Sequence, residues 1–193
     1  LMVHAAVMGA NQNGYVMKRQ PGRGLSNIWE ASKDNKTSII AIRTTKNRSF
    51  AFPSLEKGEK WKTLDESDFV IVAAVDDPEK PQRIEIYLFP SDAVRERFRM
   101  VYNARIASGY TMRDNYGMWV KLDPPVNDSP MQIGGGLAVE YPAIASFSIN
   151  DLEKEMSDHD DKSASITLTE EEGFLNVSDV IAWARSEISR LSG

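Results

Sequence analysis

Cysteine is missing from all 193 residues, and histidine occurs only as His4 and His159. The first absence excludes disulfides, thiolate nucleophiles and cysteine-based zinc sites. The second leaves little for a histidine-based metal centre, and a Ser-His-Asp triad finds no local signature such as G-x-S-x-G. Long apolar runs are missing too. The opening LMVHAAVMGA is apolar but short, carries no basic leader and runs straight into polar NQNG. No secretory signal is expected, and no stretch approaches the ~18 residues that a membrane span needs. Beginning on Leu1, the chain reads as having a trimmed or tag-derived end. The expectation is a cytoplasmic protein with no membrane association. No internal repeat is visible.

What is present is the make-up of an ordinary globular protein, 41% hydrophobic and 26% charged. The length allows one domain with a real core plus an extension. The net charge of −5 hides an asymmetry. Residues 1–50 hold eight Lys/Arg against two acids, giving +6, whereas residues 124–193 hold four against thirteen, giving −9. The two ends therefore offer surfaces of opposite sign.

Val3, Ala6, Val7 and Ala10 recur at helical spacing, and the Asn11/Asn13/Gly14 cluster stops that helix. Tyr15-Val16-Met17 reads as a short strand before a QPGRG turn. Residues 25–32 and 38–45 are β-like, joined by Lys33-Asp34-Asn35-Lys36, which has hairpin-turn chemistry. Phe50-Ala51-Phe52 is a short strand ending at Pro53, followed by a charged loop over 53–67. Phe69 to Val75 is a continuous apolar run, as expected of a central strand buried on both faces. Ile84 to Phe89 alternates. Ser91 then offers an N-cap for a helix carrying Val94, Phe98 and Val101 on one stripe to about Ser108, and Met118 to Leu122 is a last strand. Past Asp123, prolines and the Gly134-Gly135-Gly136 run mark a linker-like boundary. Asn150 to Glu153 opens a short helix, residues 157–165 are polar enough for disorder, and an amphipathic helix closes the chain over 178–192. The expected architecture is α/β of the α+β kind, a largely antiparallel mixed sheet flanked by helices over 1–123. An acidic extension follows over 124–193.

Helix 2–12, the Gly14-Tyr15-Val16 start and a hairpin ending in Ile40-x-Ile42-Arg43-Thr44-Thr45 are followed by Trp61 to Val72, Tyr87 to Val94 and Gly117 to Leu122. This order resembles the PD-(D/E)XK, or restriction-endonuclease-like, superfamily over residues 2–122. The resemblance implies an acid at the hairpin and an E-x-K or D-x-K triplet on the next strand. Carboxylates would hold Mg²⁺, and the lysine would orient the attacking water and stabilise the developing charge. Side chains two apart on a strand share a face, so the triplet presents acid and base together. Carried onto this chain, the first acid falls at Asn27 and the triplet at Ala41-Ile42-Arg43. A carboxamide, a methyl group and an arginine thus stand where acid, acid and lysine are expected, and Arg43 can serve only as a fixed cation. Residues 1–29 contain no Asp or Glu, which leaves Glu30 as the nearest rescue carboxylate. By strand alternation it faces away from Asn27, with Ser26 and Ile28.

Two nuclease-like expectations follow from these residues, with a third reading beside them. One is a catalytically degenerate nuclease-like domain, without a metal cofactor, that binds nucleic acid or a protein partner. Its candidate phosphate contacts are Lys18, Arg19, Arg23, Arg43, Lys46 and Arg48. The bland alternative for the same cations is a solvated hairpin end that blunts a sheet edge. Arg43 stands apart from the others, because an arginine on a core strand needs a carboxylate or a ligand phosphate. The other expectation is an active Mg²⁺-dependent nuclease drawing on Glu30 with Asp34, Asp65 or Asp68. A regulatory module without a nucleic-acid role is a third possibility, with helix 178–192 packing in cis or docking a protein partner. QPGRGLS reads as a turn, Gly134 to Gly136 as a hinge and Asp158 to Asp161 as a solvated linker. Trp29, Trp61 and Trp119 read as core or rim aromatics.

Overall fold

The computed structural model describes residues 1–20 and 28–164, with the side chains of its last helix as far as Asp158. Arg23, Asn27, the QPGRGLS stretch beyond Gln20, His159 to Asp161 and the expected terminal helix 178–192 lie outside the described residues or side chains. The fold is mixed α+β. Helix α1 (Met2–Gln12) leads into strands β1 (Val16–Arg19), β2 (Ile28–Lys33), β3 (Lys36–Thr45) and β4 (Ser49–Leu55). A 3₁₀ turn (Glu56–Gly58), β5 (Lys60–Trp61), β6 (Phe69–Val75), β7 (Arg83–Pro90) and α2 (Ser91–Ala107) follow. Next come β8 (Gly117–Lys121), α3 (Leu137–Glu140), β9 (Ala145–Ser148) and α4 (Ile149–Ala164).

Among the described residues, six strands form one sheet in the order β1-β2-β3-β6-β7-β9, and three form a second, β5-β4-β8. Only β3 and β6 pair in parallel within the large sheet. The β2–β3 hairpin closes as its sequence demands, with Asp34 and Asn35 both at positive φ (51° and 60°). β6 is buried on both faces, and the chain divides its neighbours between them. Ala5, Ala6, Gly9 and Ala10 bring α1 close on one side. A Cβ on Gly9 would stand 3.0 Å from the Ile86 side chain. On the other side, Val70, Val72, Tyr87 and Phe89 pack with Phe50, Phe52, Trp61 and the α2 residues Val94 and Phe98. Trp61 and Leu64, at 1% and 0% exposure, turn part of the expected 53–67 loop into core.

Several boundaries differ from expectation for local reasons. β4 runs through Pro53 to Leu55, because Pro53 needs to offer only its carbonyl, which accepts from Lys62 N. Ser91 is the first helical residue after Pro90, and its Oγ makes no capping bond. The compact unit extends from Leu1 to Asn150. The expected boundary after Asp123 therefore cuts through it: β9 pairs with β7, and Leu137 joins the core. Gly134 to Gly136 do not form a loose hinge. Gly134 is pressed against Arg97 O and Val101, and Gly135 O accepts from Arg97 Nη1. Residues 151–193 form the second unit, and the helical backbone of α4 reaches Ala164 rather than dissolving at 157. Among the described residues no helix is long and apolar enough to cross a membrane.

Candidate functional site

The triplet strand is β3, and its register decides what each of its residues can do. Ala41 lies directly between Ile28 of β2 and Val70 of β6 and is 0% exposed. Residues directly opposite share a face, so the methyl group of Ala41 is sealed in the α2-side core. Glu30 sits opposite Ile39 and Lys18, and its Oε1 accepts from Gln20 Nε2 at 3.4 Å. The side it shares with Ile28 is the one occupied by Ala41 and Arg43. It stands two β3 positions, about 7 Å, from the place opposite Ala41.

Arg43 lies opposite Val72 on that same face, half-buried beneath β4. Its Nε donates to Ala51 O (3.2 Å), Nη1 to Ile42 O (3.0 Å) and Nη2 to Thr63 Oγ1 (2.6 Å). The guanidinium also covers the Phe52 ring at 4.1 Å. Every partner is neutral. Among the described residues no carboxylate pairs with it, and burial alone pulls its pKa down to about 10, leaving it charged at neutral pH. Thr63 is itself unusual, holding φ 65° while its hydroxyl donates to Lys62 O. A β-branched residue in that region costs on the order of 1–3 kcal/mol, so the surrounding packing must hold it there.

The other cations divide into two kinds. Lys18, Arg19 and Lys46 are exposed. Lys18 and Arg19 lie level with Ile39 and Ile40 of β3, so Lys46 stands about 20 Å further along the strand direction. They do not form one cluster. Arg48 is no surface contact at all. At φ 57° it turns inward, with Nε on Asp123 (2.9 and 3.0 Å), Nη1 on Glu85 (2.9 Å) and Val75 O (2.8 Å), and Nη2 on Tyr87 Oη (3.0 Å). Burial lowers its pKa, but the bonds from Asp123, Tyr87 and Glu85 outweigh burial and raise it overall. Its place among the phosphate contacts is corrected accordingly: its charge is spent inside the fold.

The acids proposed as replacement ligands are also engaged. Asp65 accepts from Trp61 N (2.7 Å) and Arg95 Nε (2.8 Å), and Asp68 accepts from Ile39 N (2.7 Å). Both line a cleft of about 550 Å³ with Thr37, Ser38, Ser91 and Arg95, while Asp34 stays at the hairpin tip. Among the described residues no three Asp, Glu or His side chains gather as a metal site. Trp61 is core and Trp119, 45% exposed on the β8 edge, is rim. Sequence patterns gave no sign of Thr63, because a backbone angle in a charged loop leaves no composition signal.

Compared with known proteins, the chain finds no match: no family model, no curated protein and no solved structure matches it. The class that the fold itself defines is mixed α+β.

Proposed function

We propose that the chain is a cytoplasmic, nuclease-like binding domain that has lost cleavage and engages nucleic acid through backbone phosphates. The observation that carries this is a contrast along β3. Ala41 is sealed in apolar packing where cleavage would need an acid, whereas Arg43 two residues on keeps a charge that no described carboxylate neutralises. Exposed Lys18, Arg19 and Lys46 add sequence-independent attraction.

Fluorescence anisotropy with single- and double-stranded DNA and RNA, each incubated with Mg²⁺ or Mn²⁺, tests the proposal. Salt-sensitive binding of intact strands is expected. Loss of all binding at low ionic strength would leave the regulatory reading, with helix 178–192 as the protein-docking element. A second reading, Mg²⁺-dependent cleavage, draws on Glu30 and Asp68, which flank Ile39. Strand cleavage abolished by Glu30→Gln would establish it and remove the first.

A further inference from the structure

Arg43 carries five N–H donors, of which three have partners. One N–H on each of Nη1 and Nη2 is therefore left over, so an oxyanion could accept from both nitrogens. The fork is not free to swing. Three neutral acceptors and the Phe52 ring hold it, and one acceptor, Thr63 Oγ1, belongs to a residue whose backbone is held at φ 65°. A fixed, half-buried, uncompensated cation with spare donors is what an anion site looks like before the anion arrives. Were Arg43 present only to tie β3 to the edge of β4, a neutral donor would do so without burying a charge.

We infer that Arg43 and Thr63 form a pre-organised seat for one phosphate group of a nucleic-acid backbone, Arg43 gripping the oxygens and Thr63 acting as a positioning residue. The identity of the phosphate rests on the nucleic-acid proposal, whereas the seat itself rests on the geometry. A polyanion fits better than a lone carboxylate, because Lys18, Arg19 and Lys46 are scattered along and beside the same strands and need repeated charges to meet them.

The test uses the full chain. Its arginine Nε–H signals are followed by NMR during titration with inorganic phosphate, with acetate at matched ionic strength as control, and a single-stranded oligonucleotide is titrated separately. Phosphate should perturb Arg43 more than acetate does. Arg43→Gln should weaken phosphate and oligonucleotide binding roughly tenfold or more, and Arg43→Lys, which keeps charge but not the fork, should recover only part. Thr63→Ser should bind within about twofold of the parent, because it keeps the hydroxyl. Thr63→Gly should lose about fivefold in affinity although relief of its backbone makes the fold no less stable. Binding and stability moving apart in this way would not follow from a purely structural role. Phosphate perturbing Arg43 while no oligonucleotide binds would uphold the seat and remove the nucleic-acid proposal. An equal response to acetate, or unchanged affinity in Arg43→Gln, would overturn the inference.

Discussion

Two arginines five residues apart, one on β3 and one in the turn between β3 and β4, have opposite fates. Arg48 is wrapped by Asp123, Glu85, Tyr87 and Val75 O, whereas Arg43 has only neutral company. Removing Arg48 leaves two partly buried carboxylates facing each other without their cation. Arg48→Ala should therefore lower stability by about 2 kcal/mol, discounted for the partial exposure of Glu85 and Asp123, as read from the urea midpoint. The same cluster sets an alkaline limit. Burial first, then the bond to Glu85, holds the Tyr87 phenol above its ordinary 10.0. The unfolded chain gives up that proton sooner, so stability is intact below about pH 10 and falls as pH rises through the folded pKa. Tyr87→Phe should flatten the fall, leaving the part due to Tyr102, whose phenol burial also raises. At Gly58, φ is +85° and a Cβ would meet the Tyr102 ring at 2.7 Å. Gly58→Ala should cost about 2 kcal/mol, again by urea titration.

At the scale of elements, what the sequence made legible was whatever local pattern decides. β6 is a seven-residue apolar strand because Phe69 to Val75 offers no polar face, and the β2–β3 turn closes where Asp34-Asn35 sits. The helix after Pro90 followed from its apolar spacing. Register was not legible. That Glu30 shares a face with Ala41 and Arg43 depends on Ile28 lying opposite Ala41, which alternation along a single strand does not reveal. Nor was the fate of Arg48, whose carboxylates lie 37 and 75 residues away in the chain. Pro53 and Gly134 misled for a related reason: both look like breakers, yet each fills a position whose neighbours need no donor or no side chain. The close packing of α1 yields a prediction of its own. Gly9→Val should destabilise by about 1–3 kcal/mol through overpacking against Ile86, and Ile86→Ala in the same chain should return part of that loss.

For the whole molecule, the charge of +6 over residues 1–50 and −9 over 124–193 makes the proposed nucleic-acid binding testable through its salt dependence. If Arg43 holds one phosphate, Arg43→Gln should reduce the slope of log affinity against log salt by about 1. Arg48→Met should leave that slope unchanged, because its charge is spent internally. Both slopes can be read from anisotropy titrations at stepped salt concentrations.

The parallel pairing of β3 with β6 forces an excursion between them, and residues 46–68 use it to build β4 and β5. β4 must then find β8, far down the chain, a non-local pairing of the kind that forms slowly in folding. Ala51 and Thr63, two of the groups that hold Arg43, ride on this excursion. The anion seat is complete only while the excursion stays docked, so an occupied seat opposes its local opening. Hydrogen exchange at the amides of Lys62, Asp65 and Ser67, whose bonds close this segment on itself and on Pro53, should slow when phosphate binds and leave the amides of β7 untouched. A bound anion would in that case act as a latch on a non-local part of the fold.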